Sequence, residues 1–274
     1  MPFILHSYLS GVSTAKLFAA GIIPGLFIAF LLMFYCYRVA VTGKVKCPAP
    51  ERFSFARLVK SFKNSYLAVL APVIILVGML SGVVTPTETG IVAVTYCTIV
   101  GFVYKDLRLK DLPQIIRDSV LSTALIMFLV GTGSIMGWIV SVERLPALVS
   151  AGLLSITTNK YLLLFLINVI VLALGCVMEG IPIKMFLLPI LIPILNQVGV
   201  DQVHFGVVMT IGTLLGMLTP PVGLGLYVMT TISNLTFEET IQAVLPFYGA
   251  LLLALFILTY VPAITLWLPN LLFG

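Results

Sequence analysis

Between Phe205 and Thr231 the chain reads FGVVMTIGTLLGMLTPPVGLGLYVMTT, an apolar run broken at Gly216-Met217-Leu218-Thr219-Pro220-Pro221-Val222-Gly223. Neither proline has an N–H, and each ring clashes with a carbonyl of the preceding turn, so a helix entering at Phe205 stops before the pair. A stop inside lipid leaves backbone N–H and C=O groups unpaired, which is tolerated only where protein or a water-filled cavity surrounds them. Freed carbonyls and half-helix ends of this kind suit a small cation or an anionic solute. The remainder of the chain reads as scaffolding for this break.

The solvent is lipid on compositional grounds. Of 274 residues, 60% are hydrophobic and only 9% charged, against about 25% charged in soluble domains. Long apolar runs without period-2 alternation point to helices and not to an outer-membrane barrel. The net charge of +5 sits in particular loops, so it marks membrane topology and excludes a nucleic-acid-binding face. The four cysteines show no metal spacing and read as packing residues. No cleavable signal peptide is read over Met1 to Ser13, which lacks a basic start.

Taken in order, residues 17–41 are long enough to span the membrane. The segment Arg38 to Lys63 carries Arg38, Lys44, Lys46, Arg52, Arg57, Lys60 and Lys63 against Glu51, an excess expected on the cytoplasmic side. Arg52 to Lys63 is expected to lie in the interface. Ser65 to Tyr104 reads as a helix out, a break at Ser81–Gly90 and a helix back, with Thr87 as N-cap and Glu88 in the first turn. A second basic loop follows, then a crossing over 119–141 with a glycine-rich core at Gly131–Gly137 suited to close helix contact. Leu145 to Ile156 is expected along the interface.

Residues 161–197 form the second unusual unit. An apolar limb to Val177 meets Met178-Glu179-Gly180-Ile181-Pro182-Ile183-Lys184, and a second limb runs from Met185 to Leu195. That limb is about 17 Å long, short of the roughly 30 Å bilayer core. A re-entrant hairpin with its tip at Glu179–Pro182 is expected, followed by an external turn over Asn196 to His204. The helix from Phe205 to Leu218, about 21 Å long, stops inside the membrane, so break and tip can share one depth. Leu224 to Ser233 completes that crossing, and Ile241 to Trp267 is the last span.

A hard cation such as Na⁺ needs oxygen ligands, which backbone carbonyls and the hydroxyls of Thr213 and Thr219 supply without a buried charge. Glycines Gly212, Gly216, Gly223 and Gly225 flank those hydroxyls. If the tip is deep, Glu179 and Lys184 are intramembrane ions, and a Glu179–Lys184 pair is one arrangement open to them. An enzyme built on a Ser134/His204 dyad is the competing class, but the strained nucleophile context and an HExxH motif are both missing, so an enzyme is not expected.

Five stretches, KLFAAGIIPGL (16–26), GVVTPTETG (82–90), FLVGTGSIMGWI (128–139), MEGIPIKMFLLPILIPI (178–194) and GTLLGMLTPPVGLGLYV (212–228), resemble the large membrane subunit of the tripartite ATP-independent periplasmic (TRAP) transporters. The resemblance implies an all-α polytopic membrane protein, the second half of an inverted-repeat, elevator-type carrier with a re-entrant hairpin and a broken helix. It assigns scaffold helices to 1–118, half of a transport domain to 119–235 (hairpin about 161–197, broken helix 205–233) and a final transmembrane helix to 236–274. It also implies residence in a bacterial inner membrane and Na⁺-coupled import of organic acids, with no cofactor beyond the coupling ion. A periplasmic solute-binding protein would deliver the acid, and a small four-helix membrane subunit would brace the scaffold in the lipid. Carried over by position, Glu179, Gly180, Ile181 and Pro182 at the tip and Gly212, Thr213, Gly216, Thr219, Pro220, Pro221 and Gly223 at the break form one Na⁺ site and half of the substrate site. Gly180, Thr213, Gly216 and Thr219 are the expected Na⁺ contacts. Since only Met1 to Ala15 precede Lys16, the chain resembles a second half alone, as a fragment, a split gene or a misplaced start. A standalone carboxylate/Na⁺ symporter and a half-protein without autonomous transport are the alternatives.

Overall fold

The protein is described from a computed structural model covering residues 2–42, 54–82, 84–157 and 159–274. Twelve helices and no strand occur among these residues: α1 (Pro2–Ser10), α2 (Thr14–Thr42), α3 (Phe55–Leu80), α4 (Pro86–Val103), α5 (Leu112–Val142), α6 (Leu145–Ile156), α7 (Lys160–Gly175), α8 (Gly180–Gln197), α9 (Gln202–Gly216), α10 (Leu224–Ser233), α11 (Phe237–Tyr260) and α12 (Pro262–Phe273). Six of them, α2, α3, α4, α5, α8 and α11, are long and apolar enough to cross a membrane. The basic residues Lys44, Lys46 and Arg52 lie outside the described residues, as does the start of the expected interfacial helix.

Two compact units divide the chain, Thr42–Ile126 and the combination of Met1–Val41 with Met127–Gly274. In the first, α3 and α4 form an antiparallel hairpin. Tyr96 donates its phenol proton to the Leu67 carbonyl at 2.8 Å and Tyr104 to the Asn64 carbonyl at 3.0 Å. Each phenol thereby satisfies itself on a backbone acceptor across the pair. The N-cap of α4 is Thr85 and not Thr87. Pro86, whose missing N–H costs nothing in the first turn, sets the helix start two residues earlier than a Thr87 cap allows. Glu88 closes a capping box, accepting from the Thr85 N–H at 2.7 Å while its own N–H donates to the Thr85 hydroxyl at 3.3 Å.

The second unit is built around α9. Twelve of its fifteen residues are buried, so no polar face is reserved for solvent and neighbours surround it. α7 lies along one side, α1 and α8 along another, and α11 and α12 along the rest. The core between them is apolar: Leu163, Ile167 and Val171 of α7, Ile183, Leu188, Ile194 and Leu195 of α8, and Phe205 and Met209 of α9. The glycine-rich stretch of α5 packs against α8 as its small residues suggested. A Cβ on Gly133 would lie 2.9 Å from Met185 Cγ, and one on Gly137 3.7 Å from Pro189 Cγ.

Three local expectations are corrected here. Helix α8 begins at Gly180, not Met185, because Pro182 occupies a first-turn position where its ring meets no earlier turn. Its eighteen residues span about 27 Å, so length does not separate it from a crossing helix. His204 is not in an external turn; the turn is over by Asp201, which caps α9 by accepting from the N–H groups of Val203 and His204 at 2.8 and 3.0 Å. The last span is not continuous to Trp267 but breaks at Val261–Pro262 between α11 and α12.

Candidate functional site

The break begins where α9 tightens. Met217 N–H still reaches the Thr213 carbonyl at 3.2 Å, but Leu218 and Thr219 bond three residues back, to Leu215 at 3.0 Å and Gly216 at 2.8 Å. This closing 3₁₀ turn satisfies carbonyls that an abrupt stop would orphan. Pro220 and Pro221, joined by a cis peptide, are exposed. Gly223 then takes φ +54°, a left-handed conformation that favours glycine, and starts α10. The Gly225 N–H returns to the Met217 carbonyl at 2.9 Å, so the two half-helices are stitched across the gap.

The hairpin tip meets this break at three points. The Gly223 N–H donates to the Cys176 carbonyl at 3.0 Å. Gly175 and Gly216 touch backbone to backbone, since a Cβ on Gly175 would lie 2.7 Å from Gly216 Cα. Gly180, first residue of α8, faces Thr213, whose Oγ1 would stand 3.3 Å from a Cβ placed there. The Thr213 hydroxyl is 2% exposed and gives its proton to the Thr210 carbonyl at 2.9 Å. Its lone pairs are therefore turned away from the helix backbone, beside Gly180. Of the two expected threonine hydroxyls it is the one whose oxygen faces the tip.

Not every expected residue joins this contact. Glu179 is exposed and its carboxylate does not cap α8. Ile181 is half-buried. Pro182, also half-buried, lines an apolar cavity of about 380 Å³ between α5, α7 and α8, with Leu129, Met136 and Phe186 among its walls. Gly212 lies against α7, where a Cβ would come 3.2 Å from Val171 Cγ1. Thr219 points the other way: it donates to the Leu215 carbonyl at 2.9 Å and meets the Tyr248 phenol at 2.7 Å. The structure thus brings Gly180, Thr213, Gly216 and Gly223 together. Glu179, Pro220 and Pro221 stay outside, and Thr219 is held by α11.

Two neighbours escaped the reading of the sequence. Tyr248 carries no motif; only its hydroxyl in an otherwise apolar span hints at a partner. The Cys176 contribution is a backbone carbonyl, which no side-chain pattern reports. The Glu179–Lys184 pair does not form, since Lys184 donates instead to the Pro2 carbonyl at 2.9 Å and to Thr210 Oγ1 at 2.6 Å.

The Ser134/His204 dyad does not form either. Ser134 donates to its own helix, to the Val130 carbonyl at 2.8 Å. His204 joins a buried polar cluster, with Nδ1 2.8 Å from Thr265 Oγ1 and Nε2 3.2 Å from the Thr259 carbonyl. Facing a carbonyl, Nε2 carries a proton and donates it, while the Thr265 hydroxyl lies between His204 Nδ1 and the Pro262 carbonyl, 2.9 Å away, to which it donates. Asn168 completes the cluster by donating to Thr259 Oγ1 at 2.8 Å, so α7, α9, α11 and α12 are tied by side chains.

Six helices long and apolar enough to cross a membrane, with a helix pair stitched to a broken helix and no strand among the described residues, define a polytopic membrane protein of the helical class. Residues 1–264 match the model of the family described as the tripartite ATP-independent periplasmic transporter, DctM component, and the chain belongs to that family. It is similar to a putative TRAP transporter large permease protein of Haemophilus influenzae, 36% identical over 97% of this chain and 62% of the relative. A C4-dicarboxylate TRAP transporter large permease protein of Pseudomonas aeruginosa is 34% identical over 97% of this chain and 62% of that protein. A sialic acid TRAP transporter large permease protein of Vibrio cholerae is 36% identical over 100% of this chain and 64% of that protein. The chain therefore spans somewhat over three fifths of the length of these curated relatives, as a C-terminal portion. It is a multi-pass protein of the bacterial inner membrane.

Proposed function

We propose that the chain contributes the second half of a secondary carrier for organic acids, coupled to Na⁺, and that it is not an enzyme. The observation that carries this reading is the tip-to-break contact, where Thr213 Oγ1 faces Gly180 beside the Gly175–Gly216 crossing. A buried hydroxyl with free lone pairs, at two interrupted helices, is the environment in which a desolvated monovalent cation finds oxygen ligands. The names of the relatives, which include C4-dicarboxylate and sialic acid permeases, support a carboxylate as solute. Family membership supports a periplasmic solute-binding protein and a small four-helix membrane subunit as partners. In this reading 161–197 is the re-entrant hairpin and 205–233 the broken helix of a transport domain that moves as an elevator against scaffold helices within 1–118, with 236–274 as the final span and α1, packed on α8 and α9, moving with the domain. Glu179, Ile181, Pro182, Gly212, Pro220 and Pro221 border the solute, while Gly180, Thr213 and Gly216 contact Na⁺.

The test is uptake of radiolabelled C4-dicarboxylate and sialic acid by proteoliposomes holding the complete assembly, with and without an inward Na⁺ gradient. Uptake that follows the gradient and falls in Thr213→Val supports the reading. Uptake indifferent to Na⁺ overturns the coupling, and its absence for every carboxylate offered overturns the solute class.

A further inference from the structure

Lys184 is four residues along α8 from Gly180, and its side chain is 1% exposed. Its two acceptors, the Pro2 carbonyl and the Thr210 hydroxyl, are both uncharged. Thr210 spends its own proton on the Gly206 carbonyl at 2.7 Å, so its oxygen presents lone pairs to the ammonium. Among the described residues no carboxylate pairs with Lys184, although a buried charge is ordinarily matched by an opposite one. The walls are tight. Helix α1 presses onto α9 at Gly206, where a Cβ would lie 2.8 Å from the His6 ring nitrogen Nε2. His6 is fully buried, and neither of its ring nitrogens has a hydrogen-bond partner.

Neutral oxygens converging from separate helices on one enclosed point are how proteins hold alkali and ammonium ions, which need ligands but no counter-charge at contact. We propose that the space between α1, α8 and α9 is a monovalent-cation site which this chain fills with its own Lys184 ammonium. The side chain is a tethered ligand. Its four-carbon stem is buried with it, and its head takes the two acceptors a free cation would use. Because Thr213 donates to the Thr210 carbonyl, the fixed charge lies within a turn of α9 of the tip-to-break contact. The assignment concerns cation recognition alone and does not depend on transport.

Lys184→Ala removes the atoms of one n-propylammonium ion, which makes that ion the probe. Purified full chain in detergent is melted with n-propylammonium chloride, with n-propanol as the uncharged isostere, and with NaCl at matched ionic strength. The K184A midpoint is expected to rise by about 3–6 °C at a probe concentration tenfold above its Kd. Wild type should not respond, and K184A/T210V should lose the response. An equal rise with n-propanol would mean a void is being filled, and no rise with any additive would mean there is no cation site; either overturns the proposal. If K184A does not fold, Lys184→Met decides. It fills the stem without the charge, so it should melt below wild type and recover when Thr210→Val removes the stranded acceptor. A K184M that melts with wild type sinks the idea.

Discussion

The Gly223 N–H donates to the Cys176 carbonyl at 3.0 Å, joining the second residue after the double proline to the first residue after α7. It is a main-chain bond between two chain reversals, and its geometry depends on the left-handed φ of +54° at Gly223. Gly223→Ala meets two obstacles: that φ, and a Cβ placed 2.8 Å from Leu226 Cδ1. A loss of about 1–3 kcal/mol is expected, read as a lower thermal midpoint of the purified chain. An alanine variant that melts with wild type would show the turn is not constrained by this bond.

Gly175→Ala should be worse tolerated than substitution at a glycine of the same fold with open space around it. A Cβ at Gly175 would lie 2.7 Å from Gly216 Cα, whereas Gly131 and Gly249 have no neighbour within 4 Å. Overpacking of backbone against backbone costs about 1–3 kcal/mol or more. Gly131→Ala should be near neutral or stabilising, because alanine is the better helix former. Thermal midpoints of Gly175→Ala, Gly131→Ala and Gly249→Ala check the ranking.

Thr213→Val and Thr219→Val should separate in their Na⁺ response. Both keep shape and lose a hydroxyl, but only the Thr213 oxygen lies beside Gly180, while that of Thr219 meets Tyr248. In the reconstituted assembly T213V should raise the Na⁺ concentration for half-maximal uptake at least about tenfold, the equivalent of one lost charge-assisted contact. T219V should shift it far less. Equal shifts would place the ion nearer Thr219 than the structure suggests.

Thr219 and Tyr248 should instead be coupled in stability. Their oxygens are 2.7 Å apart and half-buried between the break and α11. A double-mutant cycle with T219V and Tyr248→Phe should return about 0.5–1.5 kcal/mol of interaction energy. Additive effects in chemical denaturation would mean the bond contributes nothing.

His204→Leu should destabilise without touching solute contacts. It leaves the Thr259 carbonyl short of a donor in a buried cluster, while Thr265 keeps the Pro262 carbonyl. A cost of about 1–3 kcal/mol follows, with the Na⁺ dependence of uptake unchanged wherever the variant folds. A selective change in Na⁺ dependence would mean the cluster reaches the site.

How far these elements could be read from the chain depends on where their causes lie. Helix α10 runs over Leu224–Ser233 and α6 over Leu145–Ile156, as expected, because glycine, proline and charge at their ends act locally. The start of α8 was misplaced for an equally local reason that pulls the other way. Pro182 reads as a breaker, yet a proline in a first helical turn breaks nothing. The pairing of tip and break followed from two interrupted apolar runs in one chain. The contacts that hold them were not legible: Lys184 finds Pro2 from 182 positions away and His204 finds Thr265 from 61. Partners at such separations come from tertiary packing, and no window of sequence contains both.

Where Gly175 crosses Gly216 there is no side chain between the helices to act as a bearing. Sliding or rolling one past the other would drive main-chain atoms into each other, so α7 and α9 are mechanically one piece. Whatever conformational cycle the protein runs, the hairpin cannot open away from the broken helix at this crossing. Any rearrangement of the protein therefore carries the two helices as a single body.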